Sequence, residues 1–392
     1  METMAAGEGK AERKAGGQAA SPALIVDEGR LLTYRIFDVG DEIELDVAAR
    51  LIAEHREGQR PRLAREKGQG LLFTTPPLDV DLGRCTLDLP APFVPCQASL
   101  SARLYDYGAV SMRFEIPIDR GTDLEALLPL CDHLYDSPAV DAAARRQLDA
   151  FLPEVGRALV GAHVFDVLET YTVVLVQSLR GAPTAKEVLA SPVLPKLLLG
   201  ETGKGTLSDG EREDVLRHAQ SYFEGDLAVV DWNSAFVLEP SGSRDIPDLV
   251  EFANSQLLEL RYYDGLLDLE LTRIYDDFAE ARRSPLRLLW SPYGKLARTV
   301  LQRVVEVNEF TERVDNALKV VGDFYLGRVY QGAVRRLRIS DWQSSIDRKQ
   351  ALVAQAYELL KGEVEIRRST TMELVVIVLI LAELVAALRG AH

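Results

Sequence analysis

A chain of 392 residues, 47% hydrophobic and 27% charged, is too long for one ordinary core and too polar for a polytopic membrane protein, so two or three globular units are expected. The formal charge of -15 argues against broad, sequence-independent nucleic-acid binding. That charge is unevenly spread: residues 281–349 carry 14 Lys and Arg against 7 Asp and Glu, net +7, which leaves -22 for the remainder.

From the N-terminus, residues 1–22 have no apolar run and mixed charge. They read as a disordered tail, neither a secretory signal nor a transit peptide. Residues 23–180 alternate β-type runs with helical ones, without a regular βαβ rhythm. ALIV from Ala23, LLTYRIF from Leu31, GAVSMRFEIPI from Gly108 and ETYTVVLVQS from Glu169 are rich in β-branched and aromatic residues and predict strands. DVAARLIAEH from Asp46, TDLEALLPLCDHLY from Thr122 and the stretch from Ser137 predict helices, with Thr122 and Ser137 as caps and Pro138 in the first turn. The pattern is that of an α+β domain. Residues 181–245 form a second piece: a Gly-rich loop, a helix from Ser208 and a strand-like LAVVDWNSAFVL.

Residues 246–370 read as a helical stem. Apolar residues recur at helical spacing from Leu249 to Phe278. SPLRLLWSPYG then forces a reversal. In the next helix Val300, Val304, Val307, Val314, Leu318, Val321 and Tyr325 fall at alternating spacings of three and four, with Thr311 as a polar member. This is a coiled-coil seam, made either within the chain or with a second copy. A third helix from Ser340 or Asp341 leads into TMELVVIVLILAELVAALRG.

Residues 371–389 are expected to anchor the chain in a membrane. Between Glu373 and Arg389 every residue is apolar except Glu383. The stretch spans roughly 22 Å against a hydrocarbon core near 30 Å, a shortfall that thinning and snorkelling cover. An ionised Glu383 opposes insertion by about 3 kcal/mol, and the apolar residues offset it at a few tenths each. Lys361, Arg367 and Arg368 precede the segment and only Arg389 follows it, which places the head in the cytoplasm by the positive-inside rule.

The run RRSTTMELVVIVLILAEL and the patch YDYGAVSMRFEIPI from Tyr105 resemble the required-for-meiotic-nuclear-division family. That resemblance implies a C-terminally anchored membrane protein without enzymatic activity, and eukaryotic members tie it to mitochondrial translation. The absence of a transit peptide here points to a bacterial inner membrane instead. Two functions follow as expectations: a membrane-anchored, self-associating scaffold, or an RNA- or nucleotide-handling protein prompted by the basic stem. Membrane lipid and further copies of the chain are the expected partners, and no cofactor is implied.

No catalytic, cofactor or metal constellation emerges. Gly203-Lys204 is followed by Gly205 and lacks the glycine five positions earlier that a phosphate loop needs. Cys131 and His133 are poorly spaced for a shared metal, and Cys85, Cys96 and Cys131 lack CxxC spacing, so a reducing compartment is expected. His163, followed by Asp166 and Glu169, has no accompanying nucleophile and reads as structural. Asp276 and Asp277 point to different helix faces. Trp232 and Trp342, each in an Asp-Trp pair, read as packing anchors.

Overall fold

The computed structural model describes residues 23–55, 62–63, 75–89, 96–283, 305 and 324–390. Its strands are β1 (Ile25–Asp38), β2 (Glu42–Ile43), β3 (Arg62–Leu63), β4 (Leu78–Leu87), β5 (Cys96–Leu104), β6 (Ala109–Ile118), β7 (Thr122–Asp123), β8 (Leu159–Val160), β9 (Glu169–Leu179), β10 (Leu227–Val230) and β11 (Ser234–Leu238). Its helices are α1 (Leu45–His55), α2 (Leu128–Tyr135), α3 (Pro138–Val155), α4 (Ala185–Ala190), α5 (Val193–Leu199), α6 (Asp209–Leu216), α7 (Asp245–Arg283), α8 (Phe324–Arg336) and α9 (Ile339–Gly390). The chain is a mixed α+β molecule, an N-terminal sheet domain followed by C-terminal helices.

Among the described residues nine strands form one sheet in the order β10-β11-β9-β1-β6-β5-β4-β3, with β7 added beside β1. Only β11 and β9 run parallel; β2 and β8 pair separately. The central strand β1 is buried from Leu31 onward on both faces, because helices cover both. Leu31 and Phe37 pack towards α1, α2, α3 and α5, and Leu32, Tyr34 and Ile36 pack towards α7, α8 and α9. The period-two alternation of a strand thus feeds two separate cores. Arg35, fully buried on the first face, crosses to α3 through Asp141 at 2.5 Å and donates to the Leu134 carbonyl at 2.9 Å.

Local signals place the helices. Ser137 caps α3 by accepting from the Val140 amide, and Thr184 and Glu187 close a capping box on α4. The cap expected at Thr122 differs: Thr122 lies in β7, and the Asp123 carboxylate accepts from the Glu125 amide at 3.0 Å to start a 3-10 turn before α2. The piece from 181 to 245 is not set apart. It wraps through α4, α5 and α6 and returns β10 and β11 to the common sheet, where Phe236 and Val229 join one core and Val237 and Val230 the other.

The helical third begins as a layer on the sheet. Leu249, Val250, Ala253, Leu257 and Leu258 of α7 are buried against β1 and β9 residues. Farther along, α7 and α9 run side by side: Lys349 reaches Asp264 at 2.8 Å and Asp268 at 2.6 Å. Of the expected seam, Val300, Val304, Val307, Val314, Leu318 and Val321 lie outside the described residues. Tyr325 is 9% exposed, and its ring centroid lies 5.7 Å from that of Tyr222 in the same chain.

The third helix and the terminal segment are one continuous helix of 52 residues. Ile346 and Val353 are buried in the joint, whereas Met372, Val376, Ile377, Leu379, Ile380 and Leu381 are each more than half exposed. Glu373 is exposed, and the Glu383 side chain lies outside the described residues. Among the described residues no helix is long and apolar enough to cross a membrane.

Candidate functional site

The sheet face beneath α7 is apolar along β1 and β9 but turns polar along β4, β5 and β6. Strand register aligns Asp79, Arg103 and Ser111 in one row and Asp81, Ser101, Arg113 and Tyr34 in the next. The first turns of α7 lower Asp248 and Glu251 onto these rows. Arg103 holds Asp79 with two bonds, 2.6 and 2.8 Å, and reaches Glu251 at 3.1 Å and Asp248 at 3.2 Å. Arg113 lies 3.2 Å from Asp79, 3.2 Å from Asp248 and 3.4 Å from Glu251. Two guanidinium groups therefore serve three carboxylates, with Arg103 2% exposed and Glu251 fully buried.

The balance of burial and charge sets the proton affinities. Burial alone would lower Arg103, but Asp248, Glu251 and Asp79 hold it well above its ordinary value. Burial works against the Asp79 carboxylate, yet its bonds from Arg103 bring it below the ordinary range. Glu251 moves the other way, because its burial outweighs Arg113 and Arg103. With three acids to two bases, the most deeply buried acid is the one that retains a proton most readily. A pocket of about 200 Å³ opens beside the network, lined by Tyr34, Asp81, Ser99, Ser101, Arg113, Glu115 and Arg244. Its charged members are spoken for: Glu115 accepts from Arg30 at 2.7 Å and Arg244 at 2.6 Å. This is the electrostatics of a clamp between sheet and helix.

A second set of contacts fastens α7 about three turns farther on. Glu169, first residue of β9, meets Arg261 at 2.5 Å. The Arg261 guanidinium lies 5.5 Å from the Trp342 ring centroid and 6.0 Å from that of Trp232, so the tryptophans of the two Asp-Trp pairs converge on one cation. The next residue, Tyr262, stacks on His163 with centroids 4.9 Å apart. His163 in turn faces Asp38, at the end of β1, at 3.1 Å.

Burial outweighs Arg261 at Glu169 and pushes its carboxyl up to about 7. The folded state thus binds this proton more tightly than the unfolded chain, whose glutamate titrates near 4.3. The resulting stabilisation is complete below that value and is lost as pH rises through about 7. Urea midpoints of Glu169→Gln against wild type should therefore shift in the variant's favour between about pH 5 and about pH 8; a constant difference would refute the shift.

The other sequence candidates disperse. Gly203, Lys204 and Gly205 lie in an exposed turn after α5, where Lys196 donates to the Gly203 carbonyl at 3.2 Å. Cys131 is buried in the core, its thiol pushed up to about 12 by burial, and His133 meets Ser137 at 3.2 Å. Asp276 is exposed, and the Asp277 side chain lies outside the described residues. Asp166 is exposed, while His163 and Glu169 take different partners. Among the described residues no group of three or more His, Cys, Asp and Glu is placed to hold a metal.

Fold and site together define an α+β sheet domain clamped to C-terminal helices through buried ion pairs. Residues 28–244, more than half of the chain, match the family described as "Uncharacterized protein MJ0711, N-terminal domain", and the chain belongs to that family. It is similar to the Methanocaldococcus jannaschii protein named "Uncharacterized protein MJ0711", 24% identical over 182 residues, which is 45% of this chain and 53% of the relative. The chain thus spans about half the length of the curated relative it matches. No solved structure matches. The family match ends at Arg244, directly before α7, so the joint unites matched residues such as Arg103, Arg113, His163 and Glu169 with Asp248, Glu251, Arg261 and Tyr262 beyond the match.

Proposed function

We propose that the protein is a non-enzymatic scaffold tethered to a membrane by the end of α9, with the sheet domain as a cytoplasmic head and paired α7 and α9 as its stem. One observation carries this reading. Val376, Ile377, Leu379, Ile380 and Leu381 are all more than half exposed on a helix whose earlier turns are packed. At 3.6 residues per turn these five positions sweep about 200° of the circumference, more than the single apolar stripe that a helix on a globular surface presents. Lipid satisfies such a surface, with the ends of the segment at the headgroups. The resemblance of this stretch to the required-for-meiotic-nuclear-division family points the same way.

Self-association of the stem is part of the same proposal. Leu269 and Tyr275 on α7 and Leu352 on α9 are 58%, 62% and 48% exposed, apolar side chains that a second copy would cover. The test is partition of the full chain, and of a chain lacking residues 372–392, between membrane and soluble fractions. The full chain should sediment with membranes and float with liposomes, and the shortened chain should do neither. Equal partition of the two overturns the tether. Sedimentation of the shortened chain then reads the stem: a single-copy mass at micromolar concentration removes the self-association.

A further inference from the structure

His163 occupies the connection between β8 and β9, and both of its ring nitrogens face oxygen acceptors. Nδ1 lies 2.9 Å from the Gly161 carbonyl, and Nε2 lies 3.1 Å from Oδ1 of Asp38. A carbonyl and a carboxylate repel a lone pair and attract a proton-bearing nitrogen, so the imidazolium suits both neighbours better than the neutral ring, with Nε2 meeting Oδ1 as an ion pair and not as an aligned hydrogen bond. Asp38 needs that charge. Its side chain is 1% exposed, Oδ1 accepts a hydrogen bond from the Gly40 amide at 3.3 Å, and neither Oδ2 nor the facing His163 Nε2 has a hydrogen-bond partner. Among the described residues no other cation pairs with it.

The imidazole plane stacks 16° from parallel on Tyr262 of α7, whose ring also meets Phe165 edge-on at 5.3 Å. One protonated ring therefore ties three elements together: the end of β1, the 161–168 connection and the base of the stem. Two backbone bonds back it up, from the His163 amide to the Val39 carbonyl and from the Phe165 amide to the Asp38 carbonyl, each 3.1 Å.

We propose that this junction is a pH-gated latch: the His163 imidazolium, seated between Asp38 and the Gly161 carbonyl and stacked on Tyr262, fastens the 161–168 connection to α7, and loss of its proton releases it. The groups facing the ring are Asp38 from β1, Asp41 from the following turn at 3.8 Å, the Gly161 carbonyl from its own connection, and the Tyr262 ring from α7. The contact with Asp38, opposed by burial, raises the histidine above its ordinary value. The latch is thus closed below about 6.5 and opens as pH rises through the higher folded value. Above that value the connection leading into Glu169 and Arg261 would loosen the base of the stem.

The full chain in mild detergent, carrying isotope-labelled histidine, tests the latch. The His163 signal, assigned by its loss in His163→Gln, should titrate above about 6.5. Hydrogen exchange of amides 161–168, corrected for the intrinsic effect of pH, should quicken about tenfold or more as pH crosses that midpoint. In His163→Gln exchange should be fast at every pH, and Tyr262→Leu, which keeps Asp38 and Asp41, should quicken exchange below the midpoint as well. Glu169→Gln should retain the wild-type pH response. A midpoint at or below about 6.5, exchange in 161–168 that ignores the midpoint, an unchanged response in His163→Gln or a lost response in Glu169→Gln would each overturn the proposal.

Discussion

Replacing Arg103 with Met is expected to cost about 3 to 5 kcal/mol, the range for breaking a buried ion pair from one side. The substitution leaves Asp79, Asp248 and Glu251 with Arg113 alone, and Glu251 has no exposure to water through which to recover its solvation. A urea midpoint, converted through the measured slope, reads the loss. The double change Arg103→Met with Glu251→Met should recover much of it, because the penalty lies in the unpaired carboxylate and not in the missing guanidinium. Arg30→Met is the contrasting case. Its pair with Glu115 is about one-third exposed on each side, so the loss should stay below about 1 kcal/mol. Equal losses from Arg103→Met and Arg30→Met would show that the network does not clamp α7 to the sheet.

Which parts of this joint could be read in the sequence follows from the range of the interactions that build it. Ser137, Pro138 and Ser208 announced their helices because a cap acts within three residues, and the strands from Leu31, Gly108 and Glu169 announced themselves through β-branched and aromatic content. Two expected strands, from Ala23 and Leu31, proved to be one, β1, because Asp27, Glu28 and Gly29 between them read as a break. The strands β4 and β5 gave no signal, since LDVDLGRCTL and CQASLSARL carry charges and small polar residues where a sheet face usually shows Val or Ile. Those residues are the site: Asp79 and Arg103 are polar inside because α7 brings Glu251 across 148 positions to meet Arg103. His163 was legible as a candidate, but with Asp166 and Glu169 as companions. Its structural partners, Asp38 and Tyr262, lie far away in sequence and carry no spacing that periodicity could detect.

The apolar end of α9 is the reverse case. Its character is wholly local, so the sequence displays it, and the structure adds the point at which packing stops. Ile346 and Val353 are buried, and Leu352, Met372, Val376, Ile377, Leu379, Ile380 and Leu381 are exposed. The Arg103–Glu251 network, the Glu169–Arg261 pair and the His163–Tyr262 stack fasten one side of α7 to the sheet domain, so the exposed stretch projects from an anchored helix.

Gly108→Ala is expected to destabilise the protein by about 3 kcal/mol or more and to disturb His163 at the same time. Gly108 sits between β5 and β6 with φ at +101°, a backbone setting that side chains disfavour. A methyl group there would overlap the carbonyl oxygen of Gly40 and lie 2.8 Å from its carbonyl carbon. Gly40 has little freedom to retreat. Its amide donates to Asp38, and the neighbouring Val39 amide donates to the Gly108 carbonyl at 3.0 Å, so the turn that carries Asp38 and Asp41 must move as a whole. Gly83 provides the control: its φ is +89°, but an added methyl would meet nothing within 4 Å, so Gly83→Ala should cost only backbone strain, about 1 kcal/mol. In the folded fraction of Gly108→Ala, displacement of Asp38 should bring the His163 midpoint down towards about 6.5, while Gly83→Ala leaves it where the wild type has it. Equal stability losses in the two variants would mean that the Gly40 contact gives way freely, and an unmoved His163 midpoint would mean that Asp38 does not depend on that turn.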